Sequence, residues 1–92
     1  MEEKLLYRIN VSGRVQGVGF RWNAANEARI RGLKGFVKNL SDGRVYIEAE
    51  GSPDQLETFV EWCKRGPSRG TVEMVNVDKL PPVNYLEFRI ES

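Results

Sequence analysis

The residues with the most chemistry to offer lie in one run, Gly13-Arg14-Val15-Gln16-Gly17-Val18-Gly19-Phe20-Arg21, between a strand-like segment and a helix-like one. In such a loop, successive backbone N–H groups can turn inward and form a concave anion site, aided by the positive end of the following helix dipole. Glycines permit the φ/ψ values this needs. Arg21 follows at once, and its guanidinium is a bidentate donor suited to phosphate oxygens. The same residues would equally make a plain strand-to-helix connection carrying a surface arginine. No Gly-Lys-Ser/Thr follows, so the loop is not a P-loop, and it does not match the dinucleotide pattern GxGxxG.

Composition narrows what else the chain could do. There is no histidine, which removes Ser-His-Asp and Cys-His catalysis, histidine phosphotransfer and every His-ligated metal site. A single cysteine, Cys63, allows neither an intrachain disulfide nor a CxxC site, so a reducing, cytoplasmic setting is expected. Fourteen basic and thirteen acidic residues leave a net charge of +1, too balanced to predict nucleic-acid binding from field strength. With 92 residues, 40% hydrophobic and 29% charged, the chain reads as one globular domain over 1–92. Met1-Glu2-Glu3-Lys4 lacks a signal-peptide apolar region, and no run approaches the ~20 apolar residues of a spanning helix. An enzyme of this composition works with arginines, amides, carboxylates and backbone.

The elements that position the loop follow from periodicity. Leu5, Tyr7, Ile9 and Val11 alternate with Arg8, Asn10 and Ser12, which predicts a half-buried first strand. Residues 22–31 lack Gly and Pro and carry Ala24, Ala25 and Ala28, predicting a helix stopped by Gly32. A strand over 33–40, a turn at Ser41-Asp42-Gly43 and a strand over 44–50 make a hairpin. Ser52, Pro53 and Gln55 form a Ser-x-x-Gln capping box, and Leu56, Phe59, Val60 and Cys63 follow at i, i+3, i+4 and i+7 as an apolar stripe. Gly66-Pro67 ends that second helix. Strands over 71–77 and 85–90 complete the chain, the last with Leu86, Phe88 and Ile90 inward. The order β-α-β-β-α-β plus a terminal strand is an α+β, ferredoxin-like sandwich, an antiparallel sheet with both helices on one face.

The glycine loop also resembles the signature of the acylphosphatase family, G-x-V-Q-G-V-x-F-R, at every specified position. A second segment, Gly35-Phe36-Val37-Lys38-Asn39-Leu40-Ser41-Asp42-Gly43, is similar to that family's second signature: glycine, aromatic, valine, basic, asparagine, then a small turn and glycine. The resemblance covers essentially the whole chain. It implies that the amides of Val15, Gln16, Gly17, Val18, Gly19 and Phe20 cradle a phosphoryl group, that Arg21 clamps its oxygens, and that Asn39 orients the attacking water. The implied reaction is hydrolysis of a carboxylic–phosphoric mixed anhydride, with no cofactor and no metal. The implied partner is a small-molecule acyl phosphate, with inorganic phosphate or sulfate as inhibitor, and a monomer that binds neither nucleic acid nor membrane.

Other readings compete for parts of the chain. An RNA-binding RRM shares the element order, and Leu6-Tyr7-Arg8-Ile9-Asn10-Val11 partly resembles its RNP2 strand, while Lys34-Gly35-Phe36 opens like RNP1. Val37-Lys38-Asn39-Leu40 does not continue that second pattern. Acylphosphatase-like domains also sit inside larger maturation proteins that process carbamoyl phosphate, but the short chain favours a free-standing hydrolase. Cys63 is expected to be a buried hydrophobe, and Glu48 and Glu50 the solvated face of a strand. Trp22 and Trp62 are expected at the margins of the helix layer, and Arg14 is expected to point to solvent.

Overall fold

A computed structural model describes residues 3–92, so Met1 and Glu2 of the leader reading lie outside the described residues. The predicted order is present: β1 (Leu5–Arg14), α1 (Phe20–Ile30), β2 (Lys34–Asn39), β3 (Val45–Gly51), α2 (Pro53–Arg65), β4 (Thr71–Leu80) and β5 (Phe88–Ile90). The strands form a single five-stranded sheet in the order β4-β1-β3-β2-β5. Alternation puts Tyr7, Ile9 and Val11 of β1, and Val45, Ile47 and Ala49 of β3, on the helix-covered face. Ala24, Ala25 and Ala28 bring α1 close to that face, and Leu56, Phe59, Val60 and Cys63 dock α2 beside it. Ser52 caps α2 by accepting from the Gln55 amide at 3.4 Å. Trp62 is not marginal: it sits in the core beside the rings of Phe20 and Phe59.

The last strand departs from expectation in direction and in length. It runs parallel to β2, with Gly35 opposite Phe88 and Val37 opposite Ile90, so the sheet is mixed and not wholly antiparallel. The cause is topological. A chain that leaves β4 and turns back runs opposite to β4, as β1 and β2 already do. The strand also begins at Phe88 and not at residue 85, leaving Leu86 exposed and Ile90 41% exposed, with Phe88 alone inward.

Just before β5 the chain is held by Glu50, which the alternation placed in solvent and the structure buries at 1% exposure. Its carboxylate accepts the amides of Val83 and Asn84 through one oxygen and that of Tyr85 through the other. Those amides are unavailable to a sheet ladder, and Asn84 adopts a φ of 66° in the resulting turn. Glu48, beside it on the same face, accepts the hydroxyls of Tyr46 and Tyr85, so neither carboxylate is the solvated pair that the sequence suggested. The segment 81–87 thus covers one end of the face away from the helices, where Leu6 is also buried.

The chain has three tyrosines, and each donates its hydroxyl to a carboxylate: Tyr7 to Glu57, Tyr46 and Tyr85 to Glu48. Burial, then the hydrogen bond to a carboxylate, pushes all three phenols up from 10.0 to about 12. A raised phenol pKa contributes stability that is complete below pH 10 and lost as pH climbs through 12. Absorbance at 295 nm should accordingly show no tyrosinate step near pH 10 in the folded protein, with ionisation close to 12 or on unfolding. A full step at the ordinary tyrosine value would overturn the assignment.

Candidate active site

The site grows from the way β1 ends. Its register with β4 slips between Ser12 and Gly13, a bulge that turns the strand out of the sheet. Gly13 has a φ of 127°, and a Cβ there would come within 2.2 Å of the Thr71 carbonyl oxygen, so the close approach of the strands requires glycine. Beyond Arg14 the chain reaches α1 through residues 15–19. The side chains of Val15 and Val18 are buried and anchor the loop from below. Gly19, at a φ of 82°, occupies the N-cap of α1, where no side chain caps the helix. The first turn of α1 also holds no acidic residue that would occupy the positive end of the dipole.

The consequence is a row of open donors. Among the described residues, the amides of residues 15–20 donate to no backbone or side-chain acceptor. Helix starts always leave such groups to be satisfied from outside. Here the loop extends the set backward from α1.

Two further segments complete the surroundings. Asn39 ends β2 opposite Val45, and its Oδ1 is buried without a hydrogen-bond partner. Arg21, in the first turn of α1, donates from Nη1 to the Glu91 carbonyl at 2.8 Å, which fixes one arm of its fork. Val15, Gly17, Gly19, Phe20, Arg21 and Asn39 line one cavity of about 290 Å3, together with Trp22 and Ile90. Of the eight residues singled out in the sequence, Gln16 and Val18 are absent from this lining. Val18 turns into the core. The Gln16 side chain crosses instead to the β2–β3 turn and donates to the carbonyls of Leu40 at 2.7 Å and Arg44 at 2.9 Å.

That bridge ties the loop to the segment carrying Asn39. The turn is stiffened again by Asp42, which accepts the Arg44 amide at 3.1 Å and its Nε at 2.8 Å. These bonds, the backbone one first, hold the Asp42 carboxyl below the usual carboxylate range. Arg14 is exposed and donates to the Arg69 carbonyl, outside the cavity. Sequence reasoning missed the bracing by Gln16 and by the Glu91 carbonyl, since residue type and spacing carry no sign of either long-range contact. Trp22 and Ile90 were also missed as walls, although a large apolar residue directly after Arg21 was a visible hint.

The competing readings fare differently. Tyr7, the aromatic of the RNP2-like segment, is 2% exposed and bonded to Glu57 of α2, so it offers no ring for base stacking. Cys63 is buried as expected, and burial pushes its thiol up. Among the described residues, no group of three or more His, Cys, Asp or Glu side chains stands together as a metal-ligand set. Among the described residues, no helix is long and apolar enough to cross a membrane.

Comparison with known proteins identifies the family. Residues 7–90 match the family model for Acylphosphatase. An acylphosphatase of Anaeromyxobacter dehalogenans is 46% identical over 86 residues, 94% of this chain and 92% of the relative. One from Archaeoglobus fulgidus is 50% identical over 82 residues, 89% of this chain and 92% of its own. The crystal structure of acylphosphatase from Bacillus subtilis superposes with a TM-score of 0.93 at 45% identity, covering 96% of this chain and 99% of that one. A loop of open amides, the arginine behind it, and a match across nearly the full length place this chain in the acylphosphatase family.

Proposed function

We propose that the protein hydrolyses acyl phosphates to a carboxylate and inorganic phosphate, with the loop amides, Arg21 and Asn39 as its working parts. The observation that carries this reading is the row of unbonded amides at 15–20, beside a cavity that also holds Arg21 and Asn39. Donors in that arrangement suit the oxygens of a tetrahedral anion. The arm of Arg21 not held by Glu91 adds a charge-assisted bond to the same oxygens. The orphaned Oδ1 of Asn39 accepts a hydrogen bond from water, which turns an oxygen lone pair toward phosphorus.

The water oxygen then forms a bond to phosphorus while the bond to the acyl oxygen breaks, and that electron pair leaves with the carboxylate. A phosphate oxygen takes the proton, so no side chain has to act as base. Acyl phosphates have a good leaving group and a loose transition state, so fixed donors supply most of the catalysis.

Phosphate release from benzoyl phosphate, assayed in EDTA, tests the reading, with inorganic phosphate and sulfate as competitive inhibitors. Arg21→Lys keeps the charge and loses the planar fork. It should lose about a hundredfold in kcat/KM while keeping its circular dichroism spectrum. Near wild-type kinetics in that variant would end the arginine's role. Asn39→Ala should lower kcat on the order of a hundredfold and leave the inhibition constant for inorganic phosphate almost unchanged, because the asparagine holds the water and not the anion. Weakened phosphate inhibition with unaltered kcat would reverse the two roles.

A further inference from the structure

The organic half of an acyl phosphate needs a surface of its own beside the loop. The cavity of about 290 Å3 is close to the lower end of small-ligand sites, about 300 Å3 upward, and is roomier than a phosphoryl group needs. On the proposed function, on which this inference rests, the phosphoryl oxygens meet the loop and Arg21, and the water meets Asn39. The cavity walls left unassigned are then Trp22 and Ile90, with the edge of Phe20 between site and core.

Trp22 is 63% exposed and Ile90 is 41% exposed, although each has a large apolar surface that the core could have taken. Exposure alone does not single them out, since Ile30, Met74 and Leu86 are exposed as well. What distinguishes Trp22 and Ile90 is that both border the cavity that holds Arg21 and Asn39. They come from different elements, α1 and β5, and meet there only because β5 closes the sheet beside β2. Arg21 is the one charged side chain in the lining, and it is already engaged by the Glu91 carbonyl and, on this reading, by phosphate. The organic half therefore has apolar surface alone to lean on.

We infer that Trp22 and Ile90 form an acyl-binding wall that selects acyl phosphates with an aromatic or branched apolar group over those with a short one. A flat indole offers an acyl ring an offset or edge contact in addition to area removed from water. An acetyl group is too small to reach much of either surface. The discrimination available from such a wall is modest, because apolar pockets separate substrates by about ten- to a hundredfold.

The test is the ratio of kcat/KM for benzoyl phosphate to that for acetyl phosphate, compared between wild type and variants so that leaving-group chemistry cancels. Trp22→Ala and Ile90→Ser should each lower that ratio, the former by about tenfold. Trp22→Phe, which keeps a ring, should recover most of it. Circular dichroism confirms that each variant is folded. A ratio unchanged in both Trp22→Ala and Ile90→Ser overturns the wall, as does an equal loss on the two substrates. Failure of the underlying site looks different: phosphate would not compete and Arg21→Lys would stay active, whatever the ratio does.

Discussion

The amides of residues 15–20 have no acceptor among the described residues, and the local architecture is arranged to keep them so. A bulge at Ser12/Gly13 lifts the chain off the sheet, a glycine in the left-handed region starts α1, and no side chain caps the helix. Each choice forgoes a hydrogen bond that an ordinary strand-to-helix connection would make. Gly17 and Gly19 of the loop are exposed, so donors left open there can be satisfied from outside the chain. Buried Val15 and Val18 hold the loop in place, so the donors need not be tethered by bonds of their own.

Around that loop, two side chains are held by contacts to carbonyl oxygens. Gln16 reaches Leu40 and Arg44 with its side-chain amide, and Arg21 reaches Glu91 with one arm of its guanidinium. Backbone acceptors are good anchors for such side chains. They carry no net charge to compete for an anionic ligand, and their positions are set by the sheet and not by rotamers. The β2–β3 hairpin and β5 thereby act as the frame for residues on β1 and α1.

Much of this was legible in the sequence because it rests on local rules. Alternation in β1 and β3, the Ser52–Gln55 cap and the apolar stripe of α2 depend on neighbours within a few residues. The glycine spacing and the position of Arg21 are local as well, so the loop and the arginine that follows it could be read directly. Glu50 could not. An acidic residue on the outward side of a strand reads as solvated unless the segment that will cover it is known, and that segment lies more than thirty positions away. The Tyr85 amide is held by the same contact, so the first residue of the expected last strand is tied to Glu50 and not to β2. The parallel direction of β5 is likewise a property of the whole sheet and of no single stretch.

The bond from Arg21 to Glu91 joins positions 70 apart. Closing a loop of that length is entropically unfavourable until the intervening sheet has formed, so contacts of this kind come late on the way to the native state. A refolding chain would therefore regain its hairpin and helices before its guanidinium is aligned. On the proposed role of Arg21, recovery of turnover during refolding reports on the docking of β5, a step to which far-ultraviolet signals of secondary structure are nearly blind.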